Sequence, residues 1–208
     1  MSFFLTGTDT EVGKTVICAW LMVHYQYNYW KPIQSGMDSP DTKTIQKITG
    51  FDNSFFFPPA YELQRPLSPH ESAKRDGIDI ELKNFFLPQK EEKIIVEGAG
   101  GILVPINEKY FIVDIIKKLE LPILLVARSG LGTINHTLLT VNELKKRNLP
   151  LRGIILNGEK NQSNKEAVEK YSGVSVVSEL EPIKILDKRT LLLNKPGEKL
   201  NEIFASIR

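Results

Sequence analysis

A chain of 208 residues with 41% apolar content can bury a substantial core, and it is short enough that one domain over residues 1–208 is the default. Its 27 Lys and Arg nearly balance 25 Asp and Glu, so no strong field favours nucleic acid or an anionic membrane, and neither is expected as a partner. A lone cysteine, Cys18, a start with neither basic leader nor long apolar stretch, and apolar runs far below the ~20 residues of a membrane span lead to the expectation of a cytoplasmic protein.

The first apolar run, Ser2 to Thr6, is expected as a strand. Behind it comes Gly7-Thr8-Asp9-Thr10-Glu11-Val12-Gly13-Lys14-Thr15, and then Val16, Ala19, Trp20 and Val23 at helical spacing, which predicts a helix over Gly13 to Tyr25. Strand, loop and helix in that order make a phosphate cradle. Backbone N–H groups from Glu11 to Val16 at the helix N-terminus would face phosphates, Lys14 would add a point charge, and the Thr15 hydroxyl would suit Mg²⁺. The standard pattern has glycine five residues before Gly13; Thr8 stands there, with Gly7 one residue earlier.

Further strands are expected at Tyr27 to Lys31, Lys93 to Glu97, Ile123 to Ala127 and Gly153 to Asn157, with a weaker one at Val174 to Val177. Helical spacing predicts helices over Asp41 to Thr49, Ile112 to Leu119, Ile134 to Asn148 and Asn164 to Tyr171. The stretch from Asp52 to Pro69, rich in Pro and Phe, shows neither period and reads as an elaborated loop. At the C-terminus Leu200, Ile203, Phe204 and Ile207 have the spacing of a helix packed on its own sheet. The alternation implies an α/β fold, a doubly wound and mostly parallel sheet flanked by helices, of the P-loop NTPase type.

Glu97 ends an apolar run and precedes Gly98, Ala99 and Gly100, so it is expected at the carboxyl edge of a central strand, where ligands collect in such sheets. With Thr15 and Asp41 it makes an oxygen donor set suited to a hard cation. By spacing alone Asp41 reads equally well as a helix N-cap, and Lys31 as a solvated strand-end lysine. His24 reads as structural, and His70 and His136 as packing or hydrogen-bonding groups, because none has metal-ligand spacing.

The run Gly7 to Thr15 resembles the nucleotide loop of the dethiobiotin synthetase family. Lys31-Pro32-Ile33-Gln34-Ser35-Gly36, Val96-Glu97-Gly98-Ala99-Gly100-Gly101, Ser68-Pro69-His70 and Gly132-Thr133-Ile134-Asn135-His136 carry the same likeness, which runs from Ser2 to Asn157. The resemblance implies a Mg²⁺-dependent ligase of biotin biosynthesis. Such an enzyme closes a ureido ring from 7,8-diaminopelargonate and CO₂ through a carbamate and a carbamic-phosphoric anhydride. ATP is the family's nucleotide, with GTP or CTP left open because the last fifty residues match poorly. In this reading Lys14, Lys31, Thr10 and Glu11 serve catalysis, and Thr15, Asp41 and Glu97 the metal. Gly98, Ala99, Gly100 and Asn157 line the nucleotide. Thr10, Lys31, Ser35 and, across a homodimer, Gly132, Thr133, Ile134 and Asn135 meet the substrate. The competing class is the P-loop switch ATPase of partition or division-site type.

Overall fold

The computed structural model describes residues 2–89 and 93–206. Strand β1 (Phe3–Gly7) is the middle of a seven-stranded parallel sheet. The order across it is β4 (Phe56–Phe57), β2 (Asn28–Trp30), β6 (Ile94–Gly101), β1, β7 (Ile123–Arg128), β8 (Leu151–Asn157) and β9 (Val176–Leu180). Because every pairing is parallel, all carboxyl ends lie along one edge, and the loops leaving them share one crevice.

Side-chain alternation along the buried strands feeds two cores. Phe3 and Leu5 point to one face with Tyr29, Ile95, Leu124 and Ile155, covered by α1 (Lys14–Tyr25), α2 (Asp41–Thr49), α7 (Lys188–Leu193) and α8 (Glu198–Ser206). Phe4 points to the other with Trp30, Ile94, Val96 and Ile123, covered by α3 (Pro69–Asp76) and α4 (Ile112–Leu119). On that same side α5 (Thr133–Lys146) and α6 (Gln162–Ser172) pack over Leu125, Ile154 and Val176. Helices on both faces explain why the central strands read as unbroken apolar runs. The doubly wound α/β expectation therefore holds.

Helix α1 is buried from Ile17 to Val23, so it is a core element that begins at the phosphate loop. Its Trp20 indole N–H donates to the Asn194 carbonyl, and His24 Nε2 lies 3.0 Å from the Leu191 carbonyl, tying α1 to the segment of α7. Helix α8 closes the same core: Phe204 stacks on Tyr25 at 3.9 Å and meets Phe3 edge-on at 5.1 Å.

Two readings of the sequence need correction, and one helix was not expected. The stretch 52–69 is not one loop. It holds the edge strand β4 and also β5 (Tyr61–Leu63), which pairs with β3 (Ile33–Ser35) in a small second sheet. Helix α3 begins at Pro69, set by proline in its first turn. The last strand starts two residues later than expected and runs to Leu180. At the C-terminus Leu200 and Phe204 are buried as the spacing required, while Ile207 and Arg208 lie outside the described residues. Among the described residues no helix is long and apolar enough to cross a membrane.

Candidate functional site

The phosphate loop connects β1 to α1 across residues 8–13. Thr8 N–H donates to the Val126 carbonyl at 3.0 Å, anchoring the loop's start to β7. Gly13 adopts φ 93°, and a Cβ there would fall 2.1 Å from Asn157 Nδ2. Only glycine tolerates both the left-handed backbone and that approach. Asn157, the last residue of β8, donates Nδ2 to the Val12 carbonyl at 3.0 Å and so braces the loop from the side. Lys14 is folded back along the loop, its Nζ donating to the Asp9 carbonyl at 2.8 Å. Burial lowers the Lys14 pKa, offset in part by the Glu97 charge.

The strand register brings the second lysine and the carboxylates together. Trp30 pairs with Val96, so Lys31, just past the end of β2, lies beside Glu97 within β6. Lys31 Nζ donates to Glu97 Oε1 at 3.2 Å and also contacts Asp41 Oδ2. Thr15 Oγ1 lies 3.0 Å from Asp41 Oδ1 and 3.3 Å from Glu97 Oε1. Glu97 is 1% exposed and Lys31 6%, so this is a buried cluster. Burial alone would pull the Lys31 ammonium down; Glu97 and Asp41 outweigh it and hold it well above the usual lysine value. Burial and then the Glu97 charge raise the Cys18 thiol, which stays protonated on α1 beside the site.

Thr15, Lys31, Asp41 and Glu97, named from the sequence, are thus drawn into one hydrogen-bonded group. Thr10 joins its margin: a Cβ on Gly100, which has φ 66°, would lie 3.3 Å from Thr10 Oγ1, so the phosphate loop comes close to the Gly98-Ala99-Gly100 end of β6. The Ser35 hydroxyl, at the end of β3, is buried with no hydrogen-bond partner among the described residues. Glu11 is exposed and adopts φ 58° within the loop. Val12 is buried, and Val16 is half-buried against the core.

Gly132, Thr133, Ile134 and Asn135 open α5, one strand over from the loop and on the same sheet edge. Within one chain they make no hydrogen bond to the lysine and carboxylate group among the described residues; Thr133 is buried, and Leu131 just before them is fully exposed. His70 and His136 are corrected: both are exposed and neither side chain is hydrogen-bonded among the described residues.

The donor set suits Mg²⁺. One hydroxyl and two carboxylates, all oxygen, converge on one point, as a cation that keeps few protein ligands prefers. Among the described residues no three His, Cys, Asp or Glu side chains gather closely enough to hold a metal alone, so such an ion would need phosphate oxygens as well.

Two supporting groups escaped the sequence. Tyr29 O–H donates to Glu97 Oε2 at 2.8 Å. The buried Gln34 accepts from Asp41 N–H at 3.1 Å through Oε1, while its Nε2 donates to the Ser35 carbonyl at 3.0 Å.

Comparison with known proteins places this geometry. The family described as the AAA domain matches residues 1–190. The chain is 44% identical over 189 residues to the ATP-dependent dethiobiotin synthetase BioD of Paramagnetospirillum magneticum, covering 90% of this chain and 91% of that one. It is 40% identical over 205 residues to the protein of the same name from Lawsonia intracellularis, covering 98% and 99%. Among solved structures it superposes on a ParA family ATPase from Chlorobium tepidum with TM-score 0.55 at 15% identity, covering 99% and 97%. The cell division ATPase MinD of Pyrococcus furiosus gives 0.51 at 14%, covering all of both chains. At such identities those two share the fold alone.

Proposed function

The chain belongs to the dethiobiotin synthetase family, and from that premise we propose that it closes the ureido ring of dethiobiotin from 7,8-diaminopelargonate, CO₂ and ATP. It is an ATP-dependent ligase of biotin biosynthesis. The observation that carries the finer reading is the convergence of Lys31 and Glu97, far apart in sequence, with Thr15 at the phosphate loop.

The chemistry asks the protein mainly for position and charge. One amine of the diamine attacks CO₂ and loses a proton, giving a carbamate. A carbamate oxygen attacks the γ-phosphorus in line, and ADP leaves. The second amine then attacks the carbamate carbon of the mixed anhydride, expels phosphate and closes the ring. Lys14 and Lys31 take up negative charge on the moving phosphoryl group. The Lys31 ammonium reaches it by leaving Asp41 and Glu97, its partners in this structure. Thr15, Asp41 and Glu97 would hold Mg²⁺, whose charge offsets that of the triphosphate. Glu11 shapes the phosphate side of the loop. Thr10 and the Ser35 hydroxyl, which has no hydrogen-bond partner among the described residues, orient the diamine and its carbamate. Backbone N–H groups from Glu11 to Val16, with Gly98, Ala99 and Gly100, face the phosphates. Asn157, with Nδ2 engaged on the Val12 carbonyl, presents Oδ1 as an acceptor for an amino group of the base, a group that ATP, GTP and CTP all carry. In a homodimer, Gly132 to Asn135 of one subunit meet the substrate carboxylate held by the other.

The test is to supply diaminopelargonate, bicarbonate and Mg²⁺ with ATP, GTP or CTP in turn, following phosphate and the ring-closed product. Phosphate release that requires the diamine and yields the ring is the expected result. Hydrolysis that ignores the diamine would point to a switch ATPase.

A further inference from the structure

The two oxygens of Glu97 have different neighbours. Oε1 faces Thr15 Oγ1 at 3.3 Å and Lys31 Nζ at 3.2 Å, whereas Oε2 accepts the Tyr29 O–H at 2.8 Å. The Tyr29 side chain is fully buried. Its ring is set by strand register, since Tyr29 pairs with Ile95 on β6 and with Phe56 on β4, and the Phe56 ring meets it edge-on at 6.1 Å. A ring held on both sides by the sheet presents its hydroxyl at one place, and that place is Oε2.

The chemical character of this partner matters. Lys31 neutralises the carboxylate and competes with any cation for it. A phenol orients the carboxylate, keeps its charge, and leaves the lone pairs of Oε1 directed at the phosphate loop. A buried carboxylate whose rear oxygen lacked a donor would carry an unsatisfied acceptor and would be free to rotate about its last torsion.

We propose that Tyr29 is a positioning residue of the ligase reaction, its hydroxyl locking Glu97 so that Oε1 is presented to the divalent cation that accompanies the triphosphate. The inference rests on the reading of Glu97 as a metal ligand, and outer partners of ligating carboxylates act on metal affinity in this way.

The experiment compares the intact protein with Tyr29→Phe, which removes only the hydroxyl, and with Phe56→Leu, which loosens the ring's packing but keeps it. Two quantities are read: the Mg²⁺ concentration giving half-maximal turnover, and Mn²⁺ binding in the presence of ADP, followed by the paramagnetic resonance of the free ion. Tyr29→Phe should weaken both by about tenfold or more, with the KM for the diamine unchanged and the unfolding temperature lowered modestly by the unsatisfied Oε2. Phe56→Leu, which keeps the hydroxyl, should weaken both far less. A third variant, Glu97→Gln, removes the charge being oriented, and adding Tyr29→Phe to it should change metal binding no further. Unaltered metal binding in Tyr29→Phe overturns the proposal, and so does an equal shift in Phe56→Leu or a full second loss in the double variant. An intact protein that turns over without any divalent cation would sink the metal reading of Glu97 and this proposal with it. Metal dependence that Tyr29→Phe leaves untouched removes the Tyr29 proposal alone.

Discussion

Lys31 is held in this structure by two carboxylates rather than by solvent, and that separates its contribution from that of Lys14. Replacing it with methionine keeps most of the volume and removes the ammonium. Lys31→Met is therefore expected to lower kcat by roughly a hundredfold or more, while equilibrium binding of ATP, followed by calorimetry, stays within a few-fold. A matching loss of ATP affinity would show that Lys31 grips the ground state instead. Three residues of the site were legible because each stands at a punctuated place: Lys14 and Thr15 at a glycine-bounded helix start, Glu97 between an apolar run and glycines. By spacing alone Asp41 and Lys31 could not be told from a helix cap and a surface lysine; the family resemblance singled them out, and the pairing of Trp30 with Val96 explains how Lys31 comes beside Glu97. Tyr29 and Gln34 were illegible for a different reason. A tyrosine in an apolar strand reads as core, and only the pairing of β2 with β6 decides that its hydroxyl ends on Glu97.

The elements divide in the same way. Central strands and long helices declare themselves by period, and β1, β7, β8 and α1 lie within a residue or two of expectation. Short edge pieces do not: β3, β4 and β5 span two or three residues each, too few for alternation to register, and proline and phenylalanine mask the rest. The terminal helix α8 is held by an aromatic cluster in which Phe204 stacks on Tyr25 and meets Tyr27 edge-on at 5.2 Å. Phe204→Ala is expected to cost about 3 kcal/mol, seen as a fall of roughly 10 °C in thermal midpoint. Burial also pushes the Tyr27 phenol up to about 12 from an ordinary 10.0, and raises Tyr25 further, by burial and then the nearby Tyr27. A phenol raised by folding gives its full stabilisation below the unfolded value of 10.0 and loses it as pH climbs through the folded value. Stability should accordingly be level to about pH 10 and decline above it. Replacing both tyrosines with phenylalanine should flatten that decline in alkaline denaturation curves, and an unchanged curve would assign it elsewhere.

At the scale of the molecule, the central parallel sheet carries the phosphate loop, Lys31 and Glu97, and the small β3–β5 sheet adds Gln34 and Ser35, so loop, cradle and core are expected to unfold together. We propose that residues 1–208 behave as one cooperative unit, giving a single calorimetric transition. Saturating Mg²⁺ and ATP at about a hundred times the dissociation constant should stabilise it by ~2.7 kcal/mol, raising the midpoint without splitting it; two separated transitions would divide the chain. Homodimer formation is tested by sedimentation, where exposed Leu131 before α5 marks the face to perturb. The chain's two tryptophans have settings that bear on such measurements. Trp20 rides on the helix that starts at the phosphate loop and is tethered to Asn194; Trp30 immediately precedes Lys31 and donates to the Pro58 carbonyl at 3.0 Å. The protein therefore carries a pair of intrinsic fluorophores, one on either flank of its chemistry. Nucleotide binding and the proposed departure of Lys31 from its carboxylates are each expected to change this emission, which a titration without a dye would check.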